Sequence, residues 1–160
     1  MLDRINISRR FFQYYRPESL RSLGRMFGVR KSTAAQWAIK GVPWDKLKYF
    51  SDSLAISWDW IIEGREPQAS AKEARVPKSK NPRFAIAKIN RRFLSLYPDM
   101  TQTEIAAALK AAVSTVNDWK RNRSAVPWHR LADAADTFGL RWDWLIDGLE
   151  PKHRERGESR

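Results

Sequence analysis

A chain of 160 residues with 30 lysines and arginines against 18 carboxylates carries a formal net charge of +12 and a sequence pI near 10.4, a balance that points to a polyanionic partner. It has no cysteine, which excludes a disulfide framework, a thiol nucleophile and cysteine-ligated zinc. No window approaches the roughly 18 apolar residues of a membrane span, and MLDRINISRRFFQYY lacks the unbroken apolar core of a signal peptide, so a soluble cytoplasmic protein with no membrane partner is expected.

In chain order, residues 4 to 15 predict a first helix, with Ile7, Phe11 and Tyr14 or Tyr15 on one stripe, broken by Pro17-Glu18-Ser19. The stretch LRSLGRMFGVRKSTAAQWAI, Leu20 to Ile39, predicts a second helix to about Phe27, a turn centred on Gly28 and a third helix from Lys31. Pro43 suits the first turn of a fourth helix, where its missing N–H costs nothing. Trp44, Leu47, Tyr49 or Phe50, and Leu54 give that helix an apolar face. A short fifth helix follows at Ser57 to Ile62, ended by Gly64.

Residues 65 to 82, REPQASAKEARVPKSKNP, contain three prolines and no sustained period, and read as a flexible linker. A free chain of that length spans about 20 to 25 Å on average. That is comparable to the roughly 34 Å between successive major-groove faces on one side of a duplex.

The plan then repeats over residues 83 to 149. Ile86, Ile89, Phe93 and Leu96 line a first helix ending near Pro98, and QTEIAAALKAAVSTVNDWKR, Gln102 to Arg121, matches Leu20 to Ile39. Asn122-Arg123-Ser124 lengthen the next connection. Pro127 and Trp128 start a fourth helix with Leu131, Ala135 and Phe138 on its face, and Trp142 to Ile146 form a fifth before Gly148. Residues 150 to 160 read as a disordered tail. All eight tryptophans fall in pairs: Trp37 with Trp119, Trp44 with Trp128, Trp58 with Trp142 and Trp60 with Trp144. The repeat predicts two domains, residues 1 to 64 and 83 to 149, each with a modest core.

The central stretches form a helix-turn-helix pattern. Two short helices crossing steeply bury apolar side chains at fixed offsets, with a small residue at their closest approach. Ile105, Leu109, Ala111, Val116 and Trp119 fill those offsets around Ala106, as Leu23, Phe27, Val29, Ala34 and Trp37 do around Gly24. The turn position favours positive φ, which Gly28 meets and Lys110 does not. Thr101 with Glu104 makes a capping box, whereas Ser19 with Ser22 is expected to cap one way only.

The order of these landmarks, followed by GVPW or a later PW and then by SWDWIIEG or RWDWLIDG, resembles the lambda-repressor-like superfamily, and more narrowly the phage CI-repressor type of helix-turn-helix domain. The resemblance covers the chain apart from linker and tail. It implies an all-α protein, two five-helix DNA-binding domains in tandem, and a transcriptional regulator of phage or prophage type, usually a repressor, acting on the bacterial nucleoid. Two features depart from the family: a second copy stands where a self-associating or peptidase segment is usual, and the third helix has Arg30 or Ala112 at its expected cap.

A third helix lying in the major groove reads bases through its N-terminal residues and the outer side of its next turn. These are Lys31, Ser32, Ala35 and Gln36 in the first copy, and Val113, Ser114, Asn117 and Asp118 in the second. Lysine donates to guanine, glutamine and asparagine pair with adenine, valine packs on a thymine methyl and aspartate accepts from cytosine. Arg21, Arg30 and Lys40, with Gln102, Thr103, Lys120, Arg121 and Arg123, are the expected phosphate anchors. Because the two reading sets differ, one chain is expected to prefer an asymmetric bipartite duplex site.

Two other classes stay open: an adaptor whose second copy docks a protein, favoured by Asp118, Lys110 and the lower charge of the second half, and an architectural or recombination accessory protein. The first eighty residues hold sixteen basic and eight acidic side chains, the remainder fourteen and ten. Homodimerisation is also left open. An enzyme is not expected, since His129 and His153 have no nucleophile or ligand partner in the pattern, and no cofactor or metal is implied. Asp59 and Asp143, each between two tryptophans, are expected to cap their short helices.

Overall fold

The computed structural model describes residues 2–66, 72–75, 78 and 82–154. Among them the fold is all-α, with ten helices: α1 (Arg4–Tyr15), α2 (Leu20–Phe27), α3 (Lys31–Lys40), α4 (Trp44–Leu54), α5 (Trp58–Glu63), α6 (Ile86–Leu94), α7 (Gln102–Ala108), α8 (Val113–Lys120), α9 (Trp128–Thr137) and α10 (Trp142–Asp147). None of the described helices is long and apolar enough to cross a membrane. The chain divides into two compact units, Leu2–Phe84 with α1 to α5 and Ala85–Arg160 with α6 to α10.

In the first unit Leu23, Gly24 and Phe27 of α2 face Ala34 and Trp37 of α3, over Ile7 and Phe11 of α1 and Leu47 and Phe50 of α4. The core is aromatic: Phe11 lies 4.9 Å from Phe50, 6.0 Å from Phe27 and 6.5 Å from Trp37 between ring centroids. Edge-to-face pairs of this kind add about 0.5–1.5 kcal/mol each to simple burial. The second unit keeps Phe93 against Trp119 at 5.9 Å but fills the rest with Ile105, Ala106, Val116, Leu131 and Ala135.

Where α2 and α3 approach, a Cβ on Gly24 would lie 2.7 Å from the carbonyl oxygen of Val29; the matched position in the second unit is Ala106, also buried. Gly28 turns the chain at φ +66, and Lys110 takes φ +47 at the matched place despite its Cβ. The turn is therefore set by the packing of the two helices rather than by a glycine.

Several expectations are revised. Ser22 returns a bond from the Ser19 N–H to its own hydroxyl, so Ser19 and Ser22 form a reciprocal box like that of Thr101 and Glu104. The N-cap of α5 is Ser57, whose hydroxyl accepts from the Trp60 N–H, while Asp59 and Asp143 lie buried within the first turns of α5 and α10. Of the matched tryptophans, Trp58 and Trp142 are both fully buried, whereas Trp144 is buried and its counterpart Trp60 only half-buried. Leu54, Ile86 and Phe138, expected on core stripes, are exposed; of Tyr14 and Tyr15, it is Tyr15 that is half-buried and stacks on Phe11.

Parts of the expected linker and tail are bonded to the units. The Arg75 N–H donates to the Asp52 carbonyl oxygen at 2.7 Å, and Lys72 Nζ reaches Asp52 at 3.1 Å and the Ser51 hydroxyl at 2.6 Å. Within the expected linker Lys72 and Arg75 are thus held against α4, while residues 67–71, 76–77 and 79–81 lie outside the described residues. In the tail Leu140 bridges His153, the Arg154 N–H donates to the Gly139 carbonyl oxygen at 2.8 Å and Lys152 Nζ stands 4.7 Å over the Trp144 ring. Residues 155 to 160 lie outside the described residues.

One arginine, unremarked in the sequence, closes each unit. Arg10 of α1 donates Nε to the Ile61 carbonyl oxygen at 3.0 Å and Nη2 to that of Ile62. Arg92 of α6 does the same to Leu145 at 2.9 Å and Ile146 at 2.6 Å. Burial lowers the pKa of both guanidiniums, with Asp3 and Glu63 opposing this at Arg10 and Asp147 at Arg92. Each fork satisfies two of the terminal carbonyls that a helix leaves without partners.

Candidate nucleic-acid interface

On α3 the core stripe is Ala34 and Trp37, so the opposite face points to solvent. Lys31, Ser32 and Gln36 are exposed on that helix and Ala35 is half-buried. On α8 the stripe is Val116 and Trp119; Val113 and Ser114 are exposed, and Asn117 and Asp118 are half-buried. Arg21, Arg30, Lys40, Thr103, Lys120, Arg121 and Arg123 are exposed and Gln102 is half-buried. Neither Arg30 nor Ala112 makes a side-chain cap. The first N–H groups of α3 and α8 are thus not taken up by an N-cap side chain.

Two of the expected anchors come together in the second unit. Gln102 and Lys120, with Asn122, line a groove of about 410 Å³ beside Trp119, whose other wall includes Arg91 of α6. In the first unit Ile5, Arg9, Phe12 and Ala38, which match Ala87, Arg91, Leu94 and Lys120 of that lining, border a groove of their own. Arg9 and Arg91 were missed in the sequence because each lies on the first helix, away from the reading motif, and only packing brings them beside the third. Ile39 was missed too. At 75 % exposure it follows Ser32 by seven residues on the outward face of α3, where the second unit has Arg121.

Asp118 does not stand alone on its face. Arg123 Nη1 lies 3.6 Å from its carboxylate, and the Arg123 N–H donates to the Asp118 carbonyl oxygen at 2.9 Å. Water reaches both side chains, 58 % exposed for Arg123 and 41 % for Asp118, so this pair contributes little to stability, but it places a cation beside the acid.

The connection after the third helix is built differently in the two units. In the first, the Ser8 hydroxyl accepts from the Val42 N–H at 2.8 Å and donates to the Arg4 carbonyl oxygen, and Arg4 Nη2 donates to the Val42 carbonyl oxygen at 2.6 Å while its guanidinium stands 4.8 Å over Trp44. In the second, Asn90 takes the place of Ser8. Its Oδ1 accepts from the Val126 N–H at 3.0 Å, and its Nδ2 donates to the carbonyl oxygens of Trp119 at 3.0 Å and Ser124 at 2.8 Å. The longer side chain spans a connection with two more residues, in which Asn122 turns at φ +57.

Among the described residues no group of three or more histidines and carboxylates is arranged to hold a metal ion. No protein-family model, curated protein or solved structure matches the chain.

Proposed function

We propose that the chain binds double-stranded DNA in a sequence-specific manner through two lambda-repressor-like helix-turn-helix domains in tandem, with α3 and α8 as the reading helices, and acts as a transcriptional regulator of phage or prophage type, most simply a repressor. The observation that carries the reading is the division of α3 and α8 into a core stripe and an outward face of short polar, amide and basic side chains, on a molecule of net charge +12. An N-terminal turn of such a helix offers unbonded N–H groups and side chains short enough to enter a groove. Exposed cations at both ends of the helix supply the sequence-independent attraction.

In this reading Lys31 and Gln36 discriminate bases in one half-site, and Val113, Ser114 and Asn117 in the other. Each well-placed pair contributes on the order of 1–3 kcal/mol of discrimination. Asp118, balanced by Arg123, accepts from cytosine without the full repulsion of a lone carboxylate near phosphates. The chemistry of the second face, with Val113 and Asp118, also favours an alternative in which that unit docks a protein partner.

Selection of bound duplexes from a random library, followed by footprinting, tests the proposal. Two different half-sites about one helical turn apart are expected, with strongly salt-dependent affinity and with the first half-site lost in Lys31→Ala/Gln36→Ala. No enriched motif at moderate salt refutes sequence-specific binding. Retention of a protein partner by the same double variant favours the adaptor.

A further inference from the structure

We infer that Asn90 is a positioning residue that holds Lys120 to Ser124 as a preformed phosphate-contacting loop, which gives the second unit an anchoring device the first lacks; this rests on the DNA-binding reading above. The loop carries three exposed cations, Lys120, Arg121 and Arg123, over four consecutive positions. A loop of exposed basic residues loses affinity if it must be ordered on binding, because each immobilised long side chain and each fixed backbone residue costs entropy. Here the backbone is already held from beneath. Asn90 is 1 % exposed, and one amide group bonds the last buried residue of α8 (Trp119), the end of the loop (Ser124) and the start of the next core segment (Val126). A third, longer approach, 3.4 Å, joins Nδ2 to the Asn122 Oδ1.

The comparison with Ser8 separates the two tasks. Ser8 makes the bond common to both units, to the N–H of Val42 or Val126, and its hydroxyl otherwise stays on its own helix. What Asn90 adds is the grip on the loop. The first unit has Lys40 and Gly41 at this place, without a second or third cation. The second unit therefore holds its duplex by backbone contacts at the end of α8, whereas the first depends more on the start of α3.

Asn90→Ser in the full chain is the decisive variant, since it keeps the acceptor for Val126 and removes both loop bonds. Affinity for a selected duplex is expected to fall roughly five- to tenfold at about 0.1 M salt, the effect of one lost phosphate contact, and the slope of log K against log salt to become shallower by about 0.9. In an Arg121→Ala/Arg123→Ala background the same substitution is expected to change affinity less than about twofold. Asn122→Gly, which keeps the φ +57 turn while loosening the loop and leaves the core untouched, is expected to act in the same direction. A purely structural role would lower the active fraction equally at every salt concentration. An unchanged slope, or an equal loss in both backgrounds, overturns the inference while leaving DNA binding intact. Absence of salt-dependent duplex binding by the unmodified chain overturns both.

Discussion

Replacing Arg92 by alanine is expected to destabilise the second unit by about 2–3 kcal/mol. The fork from α6 makes two charge-assisted bonds to the last carbonyls of α10, at 2.9 and 2.6 Å, and such bonds contribute about 1.5–3 kcal/mol each where water is excluded. Water reaches part of this half-buried side chain and can replace part of the loss, which brings the pair below the sum of two. For a unit of roughly 75 residues, 1 kcal/mol corresponds to about 4–8 °C, so the melting temperature of that unit should fall by about 10–20 °C. Arg92→Lys keeps the attraction of a cation to the end of α10, about 0.3–1 kcal/mol, but not the fork, and should recover less than half. Thermal melting followed by tryptophan fluorescence gives the magnitude, and hydrogen exchange localises it to α6 and α10. A shift below about 2 °C for alanine, or full recovery by lysine, would refute the assignment of the fork as the closure of the unit.

Other outcomes follow from single contacts. Gly24→Ala should destabilise the first unit by about 1–3 kcal/mol, because the new Cβ meets the Val29 carbonyl oxygen at 2.7 Å; urea unfolding unchanged by this substitution would mean that α2 can draw back. Lys110→Gly should stabilise the second unit by about 0.5–1 kcal/mol by relieving the left-handed φ of +47, read as a higher denaturant midpoint at constant slope. Glu104 has its carboxyl held below the ordinary value by the backbone N–H and then the hydroxyl of Thr101. A carboxylate whose folded pKa is depressed adds stability above its unfolded pKa and loses it as pH falls through the folded one. Glu104→Gln should therefore flatten the acid side of the melting curve against pH, and a parallel profile in the two proteins would count against the capping box.

What the sequence determined by itself was the set of helices and their duplication. Spacing alone marked the buried faces of α2, α3, α7 and α8, since burial at fixed offsets is what makes two short helices stable, and proline and glycine marked where helices start and stop. The acidic and basic residues of the third helices were legible for the same reason: a residue off the core stripe of a short helix points outward. The tertiary structure decided the contacts between residues distant in the chain. Arg10 and Arg92 read as ordinary surface charges until packing places α5 and α10 at the reach of their forks. Ser8 and Asn90 read as neutral polar residues until the fold buries them beneath a connection more than thirty residues away. Lys110 read as unsuited to its turn, yet takes the left-handed conformation because helix packing outweighs a local cost of about 1–2 kcal/mol. Local pattern fixes which residues a helix buries; which polar group ends beside which carbonyl depends on the docking of helices, and no short window of sequence contains that information.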